Sequence, residues 1–245
     1  MDENSDDIIL KDGVRIETLP SWQEFHQKAL SLKSRRGYVW RGQEKDWPLL
    51  SSFDREVQIK DQGVRDRRLQ EHLDNFKKAM NKSYPNVLRQ EDDHIWALGQ
   101  HYGLKTPLLD WTLSPYIAAY FAFINGIDQN DRNDCYRYVY ALNRSLERLM
   151  RGSDRSVSFI DQLPYPNPRF TAQKGIFTRA LQGKDIQESI EIFSRMRPSQ
   201  VLFVKFKIPT KDWEECLHNL HLMNIDHMSL LLDLRDVADC CNSKL

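Results

Sequence analysis

Residues 100–122 read Gln100-His-Tyr-Gly-Leu-Lys-Thr-Pro-Leu-Leu-Asp-Trp-Thr-Leu-Ser-Pro-Tyr-Ile-Ala-Ala-Tyr-Phe-Ala122, and this stretch decides the fold. Gly103 follows Tyr102 where a helix C-terminus favours a left-handed residue. Thr106 to Trp111 then reads as a strand. Ser114-Pro115 is an N-cap followed by proline at the first helical position. The next helix, Tyr116 to Phe123, is apolar nearly all round, which predicts deep burial. A strand delivered directly into a buried helix, after a helix on its other side, points to an α+β domain.

Upstream, the first 18 residues are expected to be a flexible acidic tail, opening Met-Asp-Glu-Asn-Ser-Asp-Asp. Ser21 and Glu24 make a capping box, and a helix is predicted from Trp22 to about Lys33. Tyr38-Val39-Trp40 reads as a short buried strand ending on Arg41-Gly42. Residues 43–60 read as a loop. Helical spacing predicts helices over 62–82, with Leu69, Leu73, Phe76 and Met80 on one face, and over about 92–102.

Downstream, Tyr136 to Leu142 and Val157 to Ile160 read as strands. Pro164, Pro166 and Pro168 impose an irregular loop. Phe170 to Thr178 is expected to be extended, with Gly175 at a bulge or close approach. A helix over 185–197, a strand from Val201 to Ile208 and a helical C-terminal part complete the chain. No repeat or low-complexity linker interrupts it, so residues 19–245 are expected to form one domain.

Composition narrows the function. The chain has 245 residues, 40% hydrophobic and 11% aromatic, as a globular protein does. Lys+Arg and Asp+Glu both number 35, so net charge does not indicate a nucleic-acid partner, whose phosphates select a basic excess. No apolar run approaches the roughly 20 residues that span a bilayer. No membrane association and a cytoplasmic location are the resulting expectations. The cysteines are Cys135, Cys216, Cys240 and Cys241, and the vicinal pair is poorly placed for an ordinary structural disulfide. Cys216, His218, His221 and His227 are the only cluster with metal-like spacing. They lack an ordered second ligand pair, so exposed histidines on an amphipathic helix are the better reading and no metal is expected. The glycine-rich phosphate loops, the nucleophile elbow and the zinc-protease motif are absent.

The unusual polar residues lie at strand ends. Arg41 follows an aromatic strand, where a guanidinium needs a partner: a ligand carboxylate or phosphate, or Asp110 in a salt bridge that pins two strands. Gly42 allows a backbone or ligand to approach closely. Asp110-Trp111-Thr112 ends a strand and precedes a helix N-terminus, a place that holds an anion or merely caps the helix. His101 is an acid/base candidate or a core histidine closing its helix. Gln173 is a polar residue on an extended segment that could reach the same pocket.

At these residues the chain resembles the FRG-domain family. The resemblance rests on Trp40-Arg41-Gly42-Gln43, on Leu49-Leu50-Ser51-Ser52-Phe53-Asp54-Arg55 and most specifically on Gln100 to Ala122. Arg169-Phe-Thr-Ala-Gln-Lys-Gly-Ile-Phe177 and Ser229-Leu-Leu-Leu-Asp-Leu continue it. Trp40 stands where the family name expects Phe or Tyr, with the aromatic role kept. More distantly the chain is similar to ADP-ribosyltransferases of the Arg/Ser-Thr-Ser/Glu type, with Arg41 as the first element, Asp110-Trp111-Thr112 with Ala118 to Ala122 as the second, and Gln173 to Phe177 as the third.

That resemblance implies a mixed, split β-sheet core with flanking helices. It also implies NAD or a related nucleotide as substrate. Arg41, Asp110 and Gln173 would be its catalytic set, and Gly42, Gln43, His101, Trp111 and Thr112 its substrate-binding residues. Gln173 departs from the pattern, because a neutral amide stands where the family class carries a glutamate. Either Asp110 or Glu44 supplies the charge, or the chain binds its ligand without cleaving it. The alternative is a non-catalytic ligand-binding or protein-interaction module in which the Arg41/Asp110 cluster is structural.

Overall fold

The structure is a computed structural model that describes residues 7–33, 37–81, 85, 89–126, 135–161, 163, 167–196 and 201–230. Its strands are β1 (Asp7–Lys11), β2 (Val14–Thr18), β3 (Tyr38–Gln43), β4 (Leu108–Thr112), β5 (Tyr136–Asn143), β6 (Val157–Ile160), β7 (Gly175–Ala180) and β8 (Phe203–Pro209). They form one sheet in the order β1-β2-β8-β5-β3-β4-β7-β6. Every pairing is antiparallel except β2 with β8, which is parallel. The helices are α1 (Trp22–Lys33), α2 (Ser52–Val57), α3 (Gln62–Met80), α4 (Asp92–His101), α5 (Pro115–Phe123), α6 (Ser145–Leu149), α7 (Pro168–Ala172), α8 (Ile186–Met196), α9 (Trp213–Leu222) and α10 (His227–Leu230). This is the mixed α+β fold with flanking helices that the sequence predicts.

Three differences have local causes. Residues 7–18, expected within a flexible tail, are the hairpin β1–β2. Its turn, Asp12-Gly13, has φ of 49° and 76°, the left-handed pair that a tight hairpin requires. Val14 is buried in the core, and β2 satisfies its outer backbone groups on β8. The 43–60 segment, expected as loop, contains α2. The Ser51 hydroxyl accepts from the Asp54 N–H at 3.1 Å, and Phe53 is buried beneath the helix. The extended reading of Phe170–Thr178 holds only from Gly175. Asn167-Pro168 starts the short α7 instead, with the Asn167 side chain accepting from Phe170 N–H. Pro164, Pro166, Cys240, Cys241 and the end of the Ser229–Leu234 motif lie outside the described residues.

Alternation along the strands sorts the core into layers. Trp40, Val139, Ala141 and Phe206 face α1, α5 and α9. Val39, Leu109, Trp111, Tyr140 and Ile176 face the opposite way, toward α6 and α8. At the β4–β7 end, Leu108 and Phe177 lie on the first face but pack against α3 and α4, in a third cluster. The two helical groups on that first face meet different halves of the sheet.

The sheet is weakest where those halves join. β3 pairs with β5 along its length, and β4 pairs with β7 along its length. Between β3 and β4 the ladder has the single pair Trp40–Thr112. Gly42 seats α5 against β3: a Cβ there would lie 1.8 Å from the Ala118 carbonyl oxygen. The close approach expected at Gly42 is therefore made by a helix backbone.

Candidate functional site

Beyond the Trp40–Thr112 pair a cleft of about 440 Å³ opens, bounded by the ends of β3 and β4, the last turn of α4, α5, α7 and the start of β7. Arg41, Asp110, His101, Thr112 and Gln173, expected to share a site, all line it.

Arg41 reaches across the seam. Its Nη1 donates to the main-chain oxygen of Asp110 at 2.7 Å, and its Nε donates to Gln43 Oε1 at 3.1 Å. The guanidinium thus takes up a strand carbonyl near the single β3–β4 ladder pair. Both acceptors are neutral, and Arg41 forms no ion pair among the described residues. The Arg41–Asp110 salt bridge weighed from the sequence is absent there; the contact runs to the Asp110 backbone. Burial holds the guanidinium below the usual arginine range, the Asp110 charge opposes that shift, and the Arg55 charge adds to it.

Asp110 keeps an exposed carboxylate on the cleft. Its Oδ1 accepts from Gln100 Nε2 at 2.7 Å. Gln100 is fixed in turn, because its Oε1 accepts from the Thr106 hydroxyl. The Thr106 N–H donates to Ser52 Oγ at 3.0 Å, which ties this relay to α2. Gln100 closes α4 beside His101, whose ring packs edge-on against Tyr102 at 4.9 Å. Asp110 is the one carboxylate among the described residues that line the cleft. Glu44, the other carboxylate considered from the sequence, accepts from Asn125 and lies outside the lining.

The remaining predicted residues have structural partners. Gln43 is buried and positions Arg41, donating from Nε2 to the Trp47 carbonyl at 2.8 Å and to the Tyr140 hydroxyl at 3.4 Å. The Tyr140 hydroxyl donates to Asp46 at 3.1 Å, and Lys205 pairs with the same carboxylate. Burial, with the Asp46 charge, pushes the Tyr140 hydroxyl well above the usual tyrosine range. Trp111 also lines the cleft, while its indole packs in the opposite core, where Nε1 donates to Thr178 Oγ1 at 2.8 Å. Strand alternation sets the Trp111 side chain on the opposite sheet face from those of Asp110 and Thr112.

Thr112 fastens the cleft floor. Its hydroxyl donates to the Gln173 carbonyl at 2.7 Å and accepts from the Ser114 N–H at 3.1 Å. Ser114 caps α5 by accepting from Ile117 N–H, so the capping and site roles are divided between neighbours. The Gln173 side chain donates from Nε2 to the Leu230 carbonyl at 3.1 Å, joining α7 to α10. Gly175 lies under the Phe170 ring, which a Cβ would meet at 2.4 Å. Sequence reading missed Gln100, Arg169, Phe170 and Phe121 as lining residues. The signal for Gln100 was its place one residue before His101 on the same helix end.

No metal-type cluster of three or more His, Cys, Asp or Glu occurs among the described residues. Cys216 is buried in the core, and His221 Nδ1 lies 3.2 Å from Asp226. No described helix is long and apolar enough to cross a membrane.

No curated protein and no solved structure matches the chain. Residues 36–131, which carry Trp40 to Gln43, the 49–55 motif and the whole Gln100–Ala122 stretch, match the family model of the FRG domain.

Proposed function

We propose that the cleft binds NAD or a related nucleotide and breaks its N-glycosidic bond, as an ADP-ribosyltransferase or NAD glycohydrolase does. The observation that carries this reading is the cleft's charge arrangement. One exposed carboxylate, Asp110, is held by Gln100 beside a guanidinium that is not neutralised by any described carboxylate. Arg41 binds a phosphate oxygen of the ligand. As the glycosidic C–N bond breaks, its electron pair leaves with nicotinamide and positive charge grows on the ribose. Asp110 stabilises that charge, the electrostatic task for which Gln173 has no charge to offer. Water or an acceptor nucleophile then adds to the anomeric carbon and loses a proton. Thr112 and Gln173 hold the floor on which the ribose rests. Support for a transferase-like architecture comes from the split between β3 and β4, with an arginine on one side and an Asp-Trp-Thr motif feeding a helix on the other.

The test is incubation of the purified protein with NAD, following free nicotinamide by chromatography. The expected result is release that falls about 100-fold in Asp110→Asn, the scale of losing one preorganised electrostatic group. In Arg41→Ala, NAD binding itself should be lost. Neither binding nor release by the wild type would sink the reading. Binding without release favours the second reading, a ligand-binding module, which the engagement of Gln173 by Leu230 supports.

A further inference from the structure

A second cavity, of about 480 Å³, lies beside α2 and the turn at 182–184. Its charged lining consists of Arg55, Lys60, Arg65, Lys184 and Asp54. Arg65 and Asp54 neutralise each other through contacts of 2.6 and 3.1 Å, and Arg65 also meets Asp66 at 3.0 Å. Gly183 is pressed against that pair: a Cβ there would lie 2.2 Å from Asp54 Oδ1 and 2.4 Å from Arg65 Nε. This contact brings the Lys184 backbone to the cavity wall. Arg55, Lys60 and Lys184 form no ion pair among the described residues, so the cavity carries three cations that no lining carboxylate balances.

Arg55 also bears on the cleft. Its charge is felt by Arg41, where it works in the same direction as burial. Two guanidiniums of like sign therefore influence each other, and neither is neutralised by a described carboxylate. The helix that carries Arg55 is anchored to the cleft wall by two hydrogen bonds: Phe53 N–H to the Thr106 carbonyl, and Thr106 N–H to Ser52 Oγ. Thr106 in turn holds Gln100 and so Asp110.

We propose that Arg55, Lys60 and Lys184 form a binding site for a diphosphate. This anion site stands independently of the reading of the cleft as a nucleotide site. Guanidinium and ammonium groups suit phosphoryl oxygens, the first by its paired N–H donors and the second as a point charge.

The experiment is calorimetric titration at low salt with pyrophosphate, ADP-ribose and adenosine, on the full chain and on Arg55→Ala, Arg55→Lys and the Lys60→Ala/Lys184→Ala double variant. Arg55 and Lys60 are exposed, and thermal melting controls for folding. Pyrophosphate and ADP-ribose are expected to bind about tenfold or more weakly to Arg55→Ala and to the double variant, with partial recovery in Arg55→Lys. Adenosine should not distinguish the proteins, and added salt should weaken pyrophosphate binding. Absence of pyrophosphate binding by the wild type, or unchanged affinity in both Arg55→Ala and the double variant, would overturn the site. Arg55-dependent pyrophosphate binding without any NAD binding would remove the NAD reading of the cleft and leave the anion site in place.

Discussion

Two arginines show opposite solutions to burying a guanidinium. Arg65 on α3 meets Asp54 through two hydrogen bonds and Asp66 through a third, and its side chain and that of Asp54 are nearly inaccessible, at 6% and 8%. Burial pulls its pKa down, but the bonds to Asp54 and the Asp54 charge outweigh burial and hold it above the usual value. Arg41 on β3 has only a main-chain carbonyl and an amide oxygen, and burial wins, holding its pKa down. The first arginine is a completed internal pair. The second is a charge held in place by neutral groups at the edge of a cleft. Completed pairs maintain structure, whereas an uncompensated, positioned charge is what an anionic ligand requires.

The largest effect is expected at Arg65. Arg65→Ala would leave the Asp54 carboxylate buried without its counter-charge and should cost roughly 3–5 kcal/mol of stability. Chemical denaturation measures this, and a loss below about 1 kcal/mol would show that the Arg65–Asp54 pair does not hold α2 to α3. A smaller effect is expected at Gln173, which tests whether that residue is a catalytic glutamate in disguise. Its amide donates to the Leu230 carbonyl. Gln173→Glu would put an acceptor against an acceptor, for a loss of about 1–3 kcal/mol. Nicotinamide release should not rise. A faster release in Gln173→Glu would show instead that the position was waiting for a carboxylate.

Much of this was legible in the sequence because its signals were local. Ser114-Pro115 announced α5, Gly103 ended the preceding helix, and alternation marked Tyr136 to Leu142 as a strand. The hairpin at Asp12-Gly13 was just as local, but the acidic residues before it gave the segment the look of a tail. Arg41, Asp110, Thr112 and Gln173 were brought together as expected. What the sequence could not give was the direction of each side chain. Trp111 lines the cleft, yet its indole is taken up by Thr178 in the opposite core, a partner 67 residues away. Gln43 is two residues from Arg41 and serves it from behind. Gln100 became the partner of Asp110 only because α4 ends beside β4. That is a tertiary fact with no local signature. The Arg41–Asp110 relation was half legible: the two residues are joined, through the main chain rather than the carboxylate.

That half-legible relation yields the smallest expected stability change and the most direct discrimination. Arg41→Ala removes a half-buried charge that burial disfavours, together with two hydrogen bonds to neutral acceptors. The cleft is open to water, which can take over the Asp110 carbonyl, so relief of the buried charge and loss of the bonds should nearly cancel. The expected change in unfolding free energy is within about 1 kcal/mol, measured by the same denaturation as for Arg65→Ala. A loss comparable to that of Arg65→Ala would make Arg41 the pin between β3 and β4 and return the cluster to a structural role. Near-neutral stability together with lost ligand binding would separate the two arginines by function as clearly as their partners do. Arg41→Lys refines the outcome: an ammonium keeps the charge but cannot bridge Gln43 and Asp110 with a planar fork, so it should retain stability and recover only part of the binding.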